Sequence, residues 1–181
     1  MILVTGASGH VGGELVDQFV ERGRPVRAHV RDLRKTAPRH GVEVVEGDLN
    51  SPETLTEVLA DVDGVFLLGG FEDMAGVLSQ AKAAGMGHVV VLSSRSVVAG
   101  RPDNAVVAMH LNSEAAVGGS GLGWTVLRPS GFMSNTSGWR SQLRSGDIVR
   151  APFAGVPIAA IDPHGIAAVC RARNEDRSGD V

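Results

Sequence analysis

The chain has 181 residues, of which 43% are hydrophobic and 20% charged, with a formal net charge of -3. A chain of this size buries roughly 70% of its unfolded surface in one core, so a single domain over residues 1–181 is expected, with a polar, frayed tail over Asn174 to Val181; the composition is that of a globular rather than a disordered or collagen-like chain, and nucleic-acid binding through a general positive field is disfavoured. The single cysteine, Cys170, excludes an internal disulfide and a multi-thiolate zinc site; with no basic leader and no apolar run near the ~18 residues of a spanning helix, a cytoplasmic protein without membrane contact is expected.

Ile2 to Thr5 form a short apolar run that breaks at Gly6-Ala7-Ser8-Gly9, after which Val11, Leu15, Phe19 and Val20 recur at helical spacing up to Gly23. Strand, glycine turn and helix follow in that order. A second strand is predicted over Val26 to Val30, leading into a mostly basic loop, Arg31 to Lys35, and a third over Val42 to Val45, closed by Gly47-Asp48-Leu49. Ser51 as N-cap, Pro52 at the first helical position and Glu53 in the first turn predict a helix to about Ala60. Further strands are read over Val62 to Leu68, His88 to Leu92 and Trp124 to Leu127, with helices over about Glu72 to Ala84 and Val106 to Val117. These central runs are apolar on both faces, as in a parallel sheet covered by helices on each side. The fold class is therefore α/β, a doubly wound parallel sheet of Rossmann type. From about residue 130 the pattern loosens. A short helix around Gly138 to Leu143, short strands within Ile148 to Ile161 and a last helix opened by Asp162-Pro163 and running through Gly165 to Ala172, with Asp162 as its cap, form a less regular extension.

Gly6, Gly9 and Gly12 stand directly after a strand and open a helix. Glycines there let the backbone approach a pyrophosphate, and the helix N-terminus offers it free N–H groups and a partial positive charge. A dinucleotide is the expected ligand. At the end of the second strand, where an acid would bond an unphosphorylated ribose, the chain has Arg31, with Arg34 and Lys35 close by, so NADP(H) is favoured over NAD(H). Asp32 is the residue that argues for the unphosphorylated ribose. Asp48 and Leu49 are placed at the adenine, Gly69 and Gly70 at the adenosine-side ribose and phosphates, and Ser93 and Ser94 nearer the reacting end, because ligands bind beyond the carboxyl ends of parallel strands. The histidines are scattered without ligand-spaced companions, and no metal site is expected.

Taken together, TGASGHVG, VRAHVRD, VVEGDL, DGVFLLGG, HVVVLSSRS, WTVLRPSGFMSN and AAIDPHGIAAV resemble the NmrA-like, atypical short-chain dehydrogenase/reductase family, from Ile2 to about Val169. The resemblance implies an NAD(P)-binding Rossmann domain that works as an NAD(P)H-dependent reductase of quinones or related acceptors, or as a redox sensor without turnover. It assigns Gly6, Ser8, Gly9, His10 and Val11 to the cofactor loop, Arg31 to the 2'-phosphate, Asp48 and Leu49 to the adenine, and Pro129 to Asn135 to the loop beside nicotinamide and substrate.

Tyrosine-dependent members of the superfamily use a Tyr-x-x-x-Lys pair, and this chain has no tyrosine. The corresponding helix carries His110 and Glu114 at the same spacing, a pair in which the carboxylate would fix the tautomer of a proton-shuttling imidazole. His110 and Ser94 are the catalytic candidates. Ser93, Ser94 and N–H groups near Gly131 would polarise an acceptor oxygen, and Phe132, Met133 and Trp139 would wall the substrate. A quinone, flavin or azo acceptor takes its protons from water, so the missing tyrosine is compatible with turnover. A small-molecule acceptor is the expected partner. Family members commonly continue past the last helix, so the resemblance implies a truncated substrate side from about residue 130 that is open, completed by a second copy of the chain as a homodimer, or lost; exposed apolar surface near Trp139, Phe153 and Ile158 would point to the second copy. A sugar-nucleotide epimerase ranks last, because it would need the tyrosine.

Overall fold

A computed structural model describes residues 1–36, 39–51, 54–152 and 154–175; the side chains of Lys35 and Ala99 fall outside it. The elements run β1 (Ile2–Val4), α1 (His10–Glu21), β2 (Val26–Val30), β3 (Glu43–Glu46), α2 (Leu55–Leu59), β4 (Gly64–Leu68), α3 (Met74–Ala83), β5 (His88–Leu92), α4 (Ser96–Ala99), α5 (Ala105–Gly118), β6 (Gly123–Leu127), β7 (Gly131–Phe132), α6 (Arg140–Ser145), β8 (Ala160–Ile161) and α7 (Pro163–Glu175). The six strands of the main sheet are all parallel, in the order β3-β2-β1-β4-β5-β6. That is the doubly wound Rossmann order, whose strand direction of travel reverses between β1 and β4 and opens a crevice there.

Strand residues alternate between two cores, which is why both faces read as apolar. Leu3, Val65, Leu67, Val89 and Val91 pack under α2, α3 and the end of α5, with Leu55, Val58, Leu78 and Val117. On the other face Ile2, Val4, Phe66 and Val90 meet Leu15, Val16 and Phe19 of α1 and Ile166, Ala167 and Cys170 of α7. The thiol of Cys170 is fully buried, and burial pushes its pKa up to about 12, so it is an inert core group rather than a nucleophile.

Local chemistry sets the helix ends. Gly23, at φ +64, follows the C-cap Arg22 and accommodates the left-handed turn that ends α1. Asp73 and Asn104 cap α3 and α5 by accepting first-turn N–H groups, and Asp162 accepts the Gly165 N–H at 2.7 Å at the start of α7, as the sequence predicts. The second helix is described over Leu55–Leu59, and just before it the Thr54 N–H and hydroxyl both donate to the Ser51 carbonyl. The expected roles of Pro52 and Glu53 lie outside the described residues. Beyond residue 130, a 3-10 stretch over Met133–Trp139 delays α6 to Arg140, and β7 pairs with β8 as a separate parallel two-stranded ladder. Among the described residues no helix is long and apolar enough to cross a membrane.

Candidate nucleotide-binding site

The glycine turn follows β1 at the point where the sheet divides. Thr5 ties the two halves there, its hydroxyl donating to the Phe66 carbonyl (3.1 Å) and accepting the Leu68 N–H (2.9 Å). Gly6 has φ +63, where a side chain is disfavoured, and a Cβ would lie 2.5 Å from Leu68 Cδ1. The Gly9 N–H donates to the Gly6 carbonyl at 2.8 Å. One turn on, a Cβ at Gly12 would stand 2.3 Å from that same carbonyl oxygen, so α1 rests directly on the turn. Its N-cap, Gly9, has no side chain to accept a hydrogen bond, and its first turn carries no acid. The N–H groups that open α1 are thus left for an anion.

A cleft of about 350 Å³ lies over this turn at the carboxyl ends of β1 to β4. The expected Gly6, Ser8, Arg31, Asp48, Leu49 and Gly69 all line it. His29, Asn50 and Phe71 line it too, although the sequence reading did not single them out. His29 is buried, donates from Nε2 to the Gly47 carbonyl at 2.8 Å, and is pushed by burial below its usual pKa, so the cleft floor carries a neutral ring. Phe71 follows the Gly69-Gly70 turn, where no local pattern marks it as a wall. Asp48 is exposed and accepts the Asn50 N–H. Leu49 is only 3% exposed and belongs mainly to the core, as does Val11 at 6%; any contact of Val11 with a ligand is through its main chain. Ser8, Gly9 and His10 are exposed beside the turn.

The basic loop is arranged in an unexpected way. Asp32 caps a 3-10 turn over Leu33–Lys35 and is gripped by Arg34 through two guanidinium bonds of 3.0 and 3.2 Å. The acid and the second arginine therefore neutralise each other, whereas Arg31 forms no ion pair among the described residues. Lys35 has its backbone in this turn, and its side chain lies outside the described residues.

At the other half of the crevice, Ser93 immediately follows β5 and Arg128 immediately follows β6. The pair expected between His110 and Glu114 does not form as a hydrogen bond. Glu114 instead accepts Arg128 through Nε (2.9 Å) and Nη2 (2.6 Å), and also the Ser93 hydroxyl (2.5 Å). Arg128 and Ser93 hold its pKa below the usual carboxylate range, and burial opposes them. Among the described residues His110 Nδ1 is buried without a hydrogen-bond partner, and desolvation lowers its pKa. Two of the groups expected to polarise an acceptor are already engaged: the Ser93 hydroxyl with Glu114, and the Gly131 N–H with the Ala159 carbonyl at 3.1 Å. Ser94 Oγ accepts the Ser96 N–H, which leaves its own proton available. The Pro129 carbonyl accepts the Arg95 N–H and ties the loop after β6 to the one after β5. Phe132 packs partly against the core, while Met133 and Trp139 are 50% and 39% exposed and Ile158 is 66% exposed. Phe153 lies outside the described residues.

The sequence profile of a family described as NAD(P)H-binding matches residues 6–169. Over 176 residues the chain is 40% identical to the (4-alkanoyl-5-oxo-2,5-dihydrofuran-3-yl)methyl phosphate reductase of Streptomyces griseus, covering 95% of this chain and 62% of that one. It is 32% identical over 178 residues to the NAD(P)H azoreductase of Xenophilus azovorans, covering 93% and 61%. Among solved structures, the NADPH-dependent quinone oxidoreductase QOR2 of Escherichia coli, complexed with NADPH, superposes with a TM-score of 0.80 at 26% identity, covering 99% of this chain and 66% of that one. The chain thus spans about three fifths of the length of the curated relatives it matches.

Proposed function

The chain belongs to the NAD(P)H-binding family, with the Rossmann fold and glycine turn that go with it, and we propose that it is an NAD(P)H-dependent reductase of flat, conjugated acceptors of the quinone, flavin or azo class. The observation that carries this reading is the uncapped N-terminus of α1 set over the glycine turn, beneath a cleft with Arg31 at its rim. The reductase names of the relatives at 40% and 32% identity support the chemistry. When bound, the reduced nicotinamide supplies the hydride. The protein binds and orients: the α1 N–H groups meet the pyrophosphate, and Arg31 meets the 2'-phosphate. Asp32, the acid that would serve a bare ribose, is occupied by Arg34, and this favours NADP(H) over NAD(H). The engaged Ser93 hydroxyl and Gly131 N–H leave little to stabilise a developing alkoxide, so acceptors that draw protons from water are favoured over plain ketones. Ser94, with its free proton, and His110 are the residues left to meet the acceptor.

The test mixes purified protein with NADPH or NADH and a panel of quinones, flavins and azo dyes, and follows absorbance of the reduced nicotinamide. Turnover is expected, with Arg31→Ala lowering the preference for NADPH over NADH by about 10- to 100-fold, the worth of one charge-assisted contact. Equal preference in the wild type would remove the role given to Arg31. Tight binding without oxidation would make the protein a nucleotide sensor, and absence of binding would end both readings.

A further inference from the structure

In a doubly wound sheet the two halves each hold one mononucleotide, and with the end of β4 lining the adenosine-side cleft, the ends of β5 and β6 are left for the nicotinamide riboside. Ser93 and Arg128 immediately follow the paired residues Leu92 and Leu127 and stand side by side at that edge. Between them, from the neighbouring α5, comes Glu114. The three side chains form one chain of contacts: the guanidinium grips both carboxylate oxygens, and one of these also takes the serine proton at 2.5 Å. Ser93 is fixed from the backbone as well, its N–H donating to the Leu127 carbonyl at 2.7 Å. Glu114 is 10% exposed, so its charge has little help from water and depends on Arg128.

The chemistry of this arrangement has a direction. A carboxylate paired with arginine is an acceptor only, and the single proton of the serine must point at it. Ser93 is only 3% exposed, and with its proton on Glu114 it has only lone pairs to offer a ligand at this edge. We propose that Arg128 and Glu114 are positioning residues that hold Ser93 as a hydrogen-bond acceptor for a donor group of the nicotinamide riboside, either the carboxamide N–H or a ribose hydroxyl. This rests on the nucleotide reading above and assigns the Ser93 oxygen to the cofactor rather than to the substrate. It also separates the roles of the adjacent serines, since the Ser94 hydroxyl accepts from the Ser96 N–H and keeps its proton.

The test compares two probes by calorimetry: NADPH, which has the riboside, and 2',5'-ADP, which lacks it. Ser93→Ala, Arg128→Met and Glu114→Gln are each expected to weaken NADPH about fivefold or more, the worth of one hydrogen bond, with 2',5'-ADP unchanged. In Glu114→Gln the amide can donate to Ser93, which frees the serine proton to point outward and tests its direction without removing bulk. Arg128→Lys is expected to restore binding only in part, since lysine cannot grip both oxygens. Repeating the Ser93→Ala comparison with an acetylpyridine analogue of the cofactor identifies the donor: a defect that vanishes assigns the carboxamide, and one that persists assigns the ribose. Equal binding of NADPH by wild type and variants would overturn the proposal, as would parallel loss of both probes, which marks a merely structural role. Wild-type protein that binds neither probe would instead remove the nucleotide reading itself.

Discussion

Gly12 and Gly13 are adjacent in α1, and replacing each with alanine separates a glycine required by close approach from one that is not. An added Cβ at Gly13 would meet the Ala7 carbonyl oxygen at 3.5 Å and Arg39 Nη2 at 3.6 Å, ordinary contact distances. Alanine there gains helix propensity of about 0.8–1 kcal/mol, which for a chain of this size raises Tm by roughly 2–4 °C. At Gly12 the same atom would sit 2.3 Å from the Gly6 carbonyl oxygen and 2.8 Å from its carbon. That is about 0.7 Å inside the 3.0 Å floor of such contacts, and the obstacle is backbone, which has no rotamer to give way. Overpacking of this kind costs about 1–3 kcal/mol, enough to cancel or exceed the propensity gain. The relief available is to lift α1 off the turn, which carries its opening N–H groups away from the anion they would hold. Thermal unfolding and NADPH calorimetry on both variants check this: Gly13→Ala should melt higher and bind as wild type, and Gly12→Ala should lose most of its affinity. If Gly12→Ala binds NADPH normally, or if both variants are damaged alike, the claim that α1 must touch the turn to hold the pyrophosphate fails.

Arg27 in β2 is 6% exposed and donates to the Glu57, Val58 and Ala60 carbonyls at the end of α2 while pairing with Glu43. Arg27→Met should destabilise by about 2–4 kcal/mol in urea titration, chiefly through the orphaned carbonyls, because Glu43 remains hydrated; a loss under 1 kcal/mol would show that α2 ends equally well without it. His29 is neutral when folded, with its pKa pushed by burial below the ordinary 6.5. Below that value the unfolded chain takes up a proton that the native ring refuses, so stability should fall as pH drops from about 6.5. His29→Gln, which retains a donor for the Gly47 carbonyl, should flatten that slope in urea titrations between pH 7 and 5, and an unchanged slope would place the effect on other groups such as His110.

The sheet was legible because its strands carry their own boundaries. β2 and β5 occupy the predicted Val26 to Val30 and His88 to Leu92, each ending where apolar residues meet polar ones. The glycine turn was legible for the same reason: its requirement is on the backbone, and glycine declares it. Side-chain partnerships were not. Glu114 reads as a helical neighbour of His110, yet its carboxylate goes to Arg128, and only the register that sets β6 beside β5 brings that arginine near. Asp32 and Arg34 read as competing signals for the ribose, until a 3-10 turn folds one onto the other. The β7 and β8 ladder joins pieces too short to show a period, with the 3-10 stretch and α6 between them.

The helix that opens at the glycine turn is covered on its inner side by α7, with Leu15 and Phe19 meeting Ile166 and Cys170, and with Gln18 bonded to the His164 carbonyl 146 positions along. During synthesis the amino-terminal half therefore emerges from the ribosome with an oily stripe that the sheet covers only in part. The rest of its shelter arrives only when residues 163–175 clear the exit tunnel. A nascent chain paused before that point offers holding chaperones a ready grip on α1, and the capacity to retain a nucleotide should appear late and abruptly as the final helix docks.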